Sequence, residues 1–335
     1  MKNWKRIAAA LLAAALALAV LAGCGSSPSS PDAPDAPDAP GGGALRVVVT
    51  TFPLYDWTRQ VLGDVPGVEL VWLQDTGVDL HSYQPTVEDM LLLSSCDLFV
   101  YVGGVSDSWV EGALQEAVNP DLQVLSLLDA LGDAARLEEL AGGMQPHDGH
   151  DHDHGDAAYD EHIWLSLKNA AVLTEAIAGA VSQADPGHAG AYAANAAAYC
   201  EQLAGLDAAY QAAVDAAPLH TVLFGDRFPF RYLVEDYGLD YYAAFPGCSA
   251  ETEASFETVA FLAGKVDELG LPAVLTIENT DHRVAETIVQ NTAAKNAAIL
   301  TLNSMQGVNE ADAAAGVTYL SIMQDNLDVL KQALA

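Results

Sequence analysis

Histidines and carboxylates are concentrated in one short stretch near the middle of the chain. Residues 146–164 read PHDGHDHDHGDAAYDEHIW and hold five of the nine histidines of the protein. Imidazole and carboxylate groups are the side chains that coordinate divalent transition metals in neutral water. The first part of the stretch lacks apolar periodicity and is therefore predicted to be a loop. It is either a solvated acidic linker or an accessory metal-binding loop, whose histidines would be His147, His150, His152 and His154.

Other polar residues stand where predicted strands end. His81 follows the second predicted strand, Asp226 follows the strand that ends at residue 224, and Glu278 follows the strand 273–277. His282 is four residues beyond Glu278, and His162 directly precedes a predicted helix. Ligands of open parallel sheets bind at the carboxyl ends of the strands. We therefore expect these five residues to converge on one metal ion.

Each of these residues also has a structural explanation. His81 could cap the helix that follows it, and Glu278 could accept hydrogen bonds from backbone N–H groups. Asp226 could form an ion pair with Arg227 or Arg231. What favours the metal site over these alternatives is their shared location, at strand ends or in loops that should face the crevice between the lobes.

Strands and helices alternate along the chain in two series, 44–185 and 218–335. Strands are predicted at 46–52, 68–73, 98–102 and 122–127 in the first series, and at 220–224, 241–245, 273–277 and 298–302 in the second. Short apolar strands separated by helices are typical of a parallel sheet that is buried on both faces. The predicted fold class is therefore α/β, with two doubly wound parallel-sheet lobes.

One long helix is predicted between the two lobes, at residues 186–217. It begins near Pro186, where proline suits a first helical turn, and continues through alanine-rich sequence until Pro218. About thirty residues at ~1.5 Å each give a length of roughly 45 Å, enough to bridge two lobes. The alternative is a pair of helices broken near Gly205.

The first 43 residues have the pattern of an export signal and a tether. Residues 1–23 combine a basic start with a short apolar run, which predicts a signal peptide. The run ends in Leu-Ala-Gly-Cys24 and resembles a bacterial lipobox, in which this cysteine becomes lipidated; an ordinary signal or a short anchor is the alternative. Residues 24–43 repeat Pro-Asp-Ala and predict an extended tether.

The chain is strongly acidic, with a formal net charge of −33. Such a surface argues against nucleic acid as a partner and attracts cations, although a compositional bias of the source could produce it as well. Apart from Cys24 there are three cysteines, so at most one intramolecular disulfide can form among Cys96, Cys200 and Cys248. No pair of them has the sequence spacing of a zinc site.

From Arg46 to its end the chain resembles the metal-binding lipoproteins of ABC transporters that import zinc or manganese. The resemblance rests on four motifs: His81 in a loop that ends Tyr-x-Pro, DEHIWLS at 160–166, the Asp-Pro that opens the long helix, and DYGL at 236–239. Glu278 before Ala-Glu-Thr, and the closing helix, fit as well. The resemblance implies two α/β lobes joined by one rigid helix, with the metal between them.

It also implies a ligand set. His81 and His162 correspond to ligands, the fourth ligand corresponds to Glu278, and the third, usually histidine in zinc binders, falls on Gly225. Glycine cannot coordinate, so Asp226 is the nearest substitute and His282 competes with Glu278. Two imidazoles with carboxylates would suit Mn²⁺ as well as Zn²⁺, and the histidine-rich loop favours Zn²⁺.

The expected function is the capture of Zn²⁺ outside the cytoplasm by a monomeric, lipid-anchored protein and its delivery to an ABC permease and ATPase. The protein is expected not to be an enzyme. The alternatives are a manganese importer component, a surface adhesin or metal buffer, and an exported zinc hydrolase. The sequence has no HExxH helix and no nucleophile elbow, which argues against the hydrolase.

Overall fold

The structure is a computed structural model and describes residues 44–145, 158–249 and 253–335. The predicted signal peptide, Cys24, the tether and the histidines of the 147–154 loop lie outside the described residues. Residues 44–335 form one compact unit.

The first lobe is built on a four-stranded parallel sheet. Its strands are β1 (Leu45–Val49), β2 (Val68–Trp72), β3 (Leu98–Tyr101) and β4 (Gln123–Ser126), in the spatial order β2-β1-β3-β4. Central β1 pairs with β2 on one side and with β3 on the other, and Val48 is opposite both Val71 and Phe99. Helices cover the sheet, namely α1 (Phe52–Leu62), α2 (Val87–Ser95), α3 (Trp109–Gln115) and α4 (Leu127–Leu131). The β-branched run of β1 is fully buried, as a central parallel strand requires.

The second lobe repeats this arrangement. Its strands are β5 (Thr221–Phe228), β6 (Asp240–Pro246), β7 (Ala273–Thr276) and β8 (Ala298–Thr301), all parallel, in the order β6-β5-β7-β8. The helices that follow the long helix are α7 (Arg231–Tyr237), α8 (Phe256–Leu269), α9 (Arg283–Asn291), α10 (Glu310–Ala314) and α11 (Tyr319–Ala333). The eight predicted strands are all present.

Two helices follow the first sheet in the chain: α5 (Leu167–Ala184), which packs on the first lobe, and α6 (Ala189–Ala216), which connects the lobes. The 28 residues of α6 give a length of about 42 Å, and the helix continues through Gly205 without a break. Pro186 lies in a short 3-10 turn just before the helix, so the predicted start is early by three residues. The predicted fold class, two parallel-sheet lobes joined by one long helix, is confirmed. The division at 44–185, 186–217 and 218–335 stays a prediction.

The largest hydrophobic cluster extends through both lobes, and each lobe has a smaller cluster of its own. A single cluster of buried side chains contains Val47 of the first sheet, Leu275 of the second sheet and Tyr210 of α6. Hydrogen bonds cross the same region, because the Tyr210 hydroxyl donates to the carbonyl of Met323 at 2.6 Å, and the Tyr319 hydroxyl donates to the carbonyl of Trp164 at 2.7 Å. The long helix is therefore part of the core.

Among the helices at 44–145, 158–249 and 253–335, none combines the length and apolar character that crossing a membrane requires.

Candidate metal centre

His81 is held in a short 3-10 helix, Leu80–Ser82, after β2. The carboxylate of Asp79 fixes the start of this turn, since its Oδ1 accepts the His81 backbone N–H at 3.0 Å. The other oxygen of Asp79 accepts a hydrogen bond at 2.7 Å from Arg227 of the second lobe. The Nδ1 atom of the His81 ring lies 2.8 Å from the Ser106 hydroxyl, which leaves Nε2 facing the cleft.

His162 is completely buried and precedes the 3-10 helix Ile163–Leu165. One oxygen of Asp160 accepts two hydrogen bonds from it, from the backbone N–H at 2.9 Å and from ring Nδ1 at 2.8 Å. Because Nδ1 donates to a carboxylate, the lone pair of the neutral ring is on Nε2. This is the arrangement in which histidine binds metals, with the carboxylate fixing both the tautomer and the orientation.

The two rings both come from the first lobe and meet at the cleft between the lobes, where Gly247 of the second lobe passes beside His162; their Nε2 atoms are 3.2 Å apart. The ring centroids are separated by 5.2 Å, with 63° between the planes. Two nitrogen ligands at ~2.0–2.1 Å from a tetrahedral zinc ion are about 3.3 Å from each other. The pair is therefore spaced as two ligands of one metal ion.

Cys248 is the third member of this group. Its Sγ atom and one ring nitrogen each of His81 and His162 all lie within 4.8 Å of one another. Cys96, Cys200 and Cys248 are free thiols. Sequence reasoning missed Cys248 because it judged the cysteines by their mutual spacing. One signal in the sequence could have identified it: Cys248 directly follows the predicted strand 241–245, just as Asp226 and Glu278 follow predicted strands.

The ionisation of the group follows from its burial. Burial and the neighbouring His162 ring lower the pKa of His81 to about 3, which keeps His81 neutral. Burial is the largest single influence and acts to lower the pKa of His162, but the charge and hydrogen bond of Asp160, together with the charges of Glu161 and Asp79, raise the pKa above the ordinary value. Burial, reinforced by Glu138, raises the pKa of the Cys248 thiol. The centre has two imidazoles and a thiol to offer to a cation.

Asp226 and Glu278 do not join this group of ligand atoms in the described part of the chain. The oxygens of Asp226 accept backbone N–H bonds from Arg227 at 2.8 Å and from Ile277 at 3.3 Å. Glu278 accepts four hydrogen bonds from the segment 304–307, at 2.6 to 3.3 Å, and so holds this loop in place. Their predicted role as ligands stays a prediction, and each carboxylate has a structural role.

His282 lies apart as well, at the start of α9 in a left-handed conformation with φ of 57°. It lines a cavity of about 480 Å³ together with Asp226 and Gly225. At Gly225, an added Cβ would lie 2.6 Å from Cα of Ala285, so α9 packs too closely for any side chain. Packing therefore explains the glycine at the position where the sequence resemblance places a third ligand.

Known proteins match this chain over nearly its whole folded part. The family model of zinc-uptake complex component A, periplasmic (ZnuA), matches residues 47–333. The zinc-binding lipoprotein AdcA of Streptococcus pneumoniae is 33% identical over 296 residues, which are 87% of this chain and 56% of that protein. The high-affinity zinc uptake system protein ZnuA of Bacillus subtilis is 27% identical over 296 residues, 88% of each chain. The chain thus spans about half the length of the AdcA relatives.

Solved structures agree with these matches. The Zn(II)-bound ZnuA-like domain of S. pneumoniae AdcA has a TM-score of 0.68 and 29% identity, and covers 87% of this chain and 99% of that domain. The metal-dependent lipoprotein YcdH of B. subtilis has a TM-score of 0.70 and 25% identity, with 87% and 99% coverage. With two α/β lobes, a long connecting helix and a pair of facing histidines in the cleft, the chain belongs to the ZnuA family of zinc-uptake components.

Proposed function

We propose that this protein captures Zn²⁺ outside the cytoplasm and delivers it to an ABC permease, with His81 and His162 as ligands. The observation that carries the proposal is the 3.2 Å approach of the two Nε2 atoms, each on a ring whose Nδ1 is held from behind by Ser106 or Asp160. Neutral, oriented imidazoles are strong ligands for zinc.

The relatives support zinc as the cargo. AdcA and ZnuA are named for zinc binding and zinc uptake, and the neighbouring AdcA structure contains Zn(II). The alternative, a manganese importer component, would require oxygen ligands such as the carboxylates of Asp226 and Glu278. It is less well supported, because Asp226 and Glu278 accept backbone hydrogen bonds and, among the described residues, their oxygens do not join the group formed by the two histidines and Cys248.

The mechanism is capture rather than catalysis. The metal replaces any proton on the two Nε2 atoms, and Asp160 and Ser106 hold the rings so that little side-chain freedom is lost on binding. The exported zinc hydrolase is the alternative of another class, and hydrolysis of an ester or peptide by the metal-loaded protein would support it.

The remaining parts of the proposal concern placement in the cell. Lipidation of Cys24 would anchor the monomeric protein to the membrane, and residues 24–43 would hold the lobes at a distance from it. The 147–154 loop would bind further metal weakly and raise its concentration near the cleft. A permease and its ATPase would take the ion from the loaded protein.

The test is zinc affinity measured by competition with a chelator. His81→Ala and His162→Ala should each weaken binding by more than ~100-fold, since a direct ligand matters more than the outer partners whose loss costs ~10–100-fold. The control is His188→Ala, because this half-exposed histidine also pairs with a carboxylate, Asp185, but lies at the start of α6. Wild-type affinity in the two cleft variants would overturn the proposal.

Separate variants test the other predicted ligands. Asp226→Ala, Glu278→Ala and His282→Ala should keep tight zinc binding if their roles are structural, and Glu278→Ala should lower stability because four hydrogen bonds to the 304–307 loop are lost. Deleting 147–154 should remove weak additional zinc equivalents and leave the tight one. Loss of the tight site would contradict the accessory role.

A further inference from the structure

We infer that Cys248 is the third protein ligand of the cleft, bound as a thiolate, so that the site selects thiophilic cations such as Zn²⁺ and Cd²⁺ over Mn²⁺. This inference rests on the proposed function, because it names the ligand that completes the same site.

The geometry supports a three-residue centre. The Cys248 sulfur and the two histidines bring their ligand atoms within 4.8 Å of one another. They come from three separate places in the fold: the turn after β2, the turn before α5, and the loop after β6. Zn–S and Zn–N bonds of ~2.3 and ~2.0 Å require only a small inward movement of such a group.

The chain around Cys248 is shaped to bring it to His162. At Gly247, an added Cβ would lie 2.9 Å from Cε1 of His162 and 3.0 Å from the Phe228 carbonyl oxygen, so the backbone passes directly against the ring. The Cys248 N–H points at the Glu138 carboxylate, 3.5 Å away in the first lobe. Cys248 is thus held between the lobes.

The chemistry of the ligand sets the selectivity. Thiolate is a soft ligand that favours zinc and cadmium, whereas Mn²⁺ prefers carboxylate, carbonyl and water oxygens. Binding forms one S–metal bond, breaks the S–H bond and releases that proton to solvent. Three protein ligands leave one tetrahedral position open for an exchangeable ligand, which suits an ion that must be handed on.

The direct test replaces zinc with Co²⁺ and records the absorption spectrum of the whole protein. A thiolate bound to Co²⁺ gives an intense near-ultraviolet charge-transfer band that nitrogen and oxygen ligands do not give. The band should be present in the parent and in Cys200→Ser, whose thiol lies on α6 near the carbonyl of Ala171, and absent in Cys248→Ser. A parent without the band, or a Cys248→Ser protein that keeps it, would overturn the inference.

Selectivity gives a second readout. Cys248→Ser should bind zinc at least ~10-fold more weakly and manganese nearly unchanged, as expected when a soft ligand is lost. Cys248→Asp should shift the Zn²⁺/Mn²⁺ preference further toward manganese. The same measurement can be made on this variant if Cys248→Ser folds poorly. An unchanged Zn²⁺/Mn²⁺ preference in both variants would show that Cys248 is not a ligand, and it would leave the proposed histidine site intact. Wild-type zinc affinity in His81→Ala and His162→Ala would contradict the proposed function as well.

Discussion

At the scale of single residues, a carboxylate and a hydroxyl group behind the two histidines hold the rings in place. Asp160 accepts both the backbone N–H and the ring Nδ1–H of His162, and Ser106 lies against Nδ1 of His81. Without these partners, the rings could turn or place the proton on Nε2, and ligand geometry would be lost.

Asp160→Asn should therefore weaken zinc binding by ~10–100-fold. The amide can donate to Nδ1 and so place the ring proton on Nε2, where it blocks the metal. The measurement is a chelator competition, with Asp185→Asn as the matched control, since Asp185 pairs with the half-exposed His188 at 2.6 Å. Equal affinity of the Asp160 variant and the parent would show that the carboxylate does not set the tautomer.

A second residue-scale prediction concerns Asp107, which is buried and accepts the Gly103 N–H at 2.9 Å. Burial raises the pKa of Asp107 to about 7. Between roughly pH 4 and pH 7 Asp107 of the folded protein therefore holds a proton that the unfolded chain has lost, and the contribution of Asp107 to the free energy of unfolding should fall as pH rises, by about 1.4 kcal/mol per unit. Below this window the full contribution of Asp107 is present.

Asp107→Asn cannot ionise and can still accept the Gly103 N–H, so this dependence should be flatter in the variant. Urea unfolding across this pH window measures the slope, with the exposed Asp64→Asn as the control. The same slope in Asp107→Asn and in the parent would contradict the assignment.

At the scale of elements, the ends of the strands decide what reaches the cleft. The loop after β6 passes so close to His162 that only glycine fits at 247. The chain at Gly225 in β5 is pressed against α9 in the same way, which shuts that position to a ligand. The packing of α9 therefore excludes a side chain at position 225, whereas the glycine at position 247 allows the loop after β6 to lie against His162.

Gly247→Ala should push the His162 ring or the Cys248 loop away and lower zinc affinity by ~10-fold or more, in the range seen when supporting contacts of a metal site are lost. Gly264→Ala, inside α8 with open space around its Cα, is the control; it should keep zinc affinity and raise stability by about 0.5–1 kcal/mol. Retained affinity in Gly247→Ala, measured by the same competition, would mean that the close approach is not needed.

At the scale of the whole molecule, the lobes are joined by more than the connecting chain. One buried cluster runs through both sheets and α6, and Arg227 of the second lobe pairs with Asp79 of the first at 2.7 Å. Opening the lobes widely would expose this core, at about 25 cal/mol for each Å² of apolar surface.

Metal removal should therefore produce a small tilt of the lobes and not a wide hinge motion. Small-angle X-ray scattering of the zinc-loaded and chelator-treated protein should give closely similar profiles, with His162→Ala as a variant that stays in the metal-free state. A large increase in the radius of gyration on chelation would contradict the shared-core argument.

The sequence by itself determined the two series of parallel strands and the long helix, and it singled out two histidines whose rings meet in the fold. Apolar runs, proline positions and strand ends are signals that can be read from a short segment of sequence. A parallel sheet places the carboxyl ends of its strands at one edge, independently of the rest of the fold. His81 could be chosen because it follows a strand, and His162 because it precedes a helix within a motif of the resembled family; the structure brings the two rings together.

Only the tertiary structure decided which other side chains reach the cleft. Glu278 and Asp226 also follow strands, but their oxygens accept backbone hydrogen bonds, and Cys248 arrives because a glycine lets its loop pass His162. The approach of Cys248 to His162 depends on contacts between segments more than eighty residues apart. Such contacts produce no periodic pattern in the sequence. Distance in space, not residue type alone, therefore decides which side chains meet beside His162.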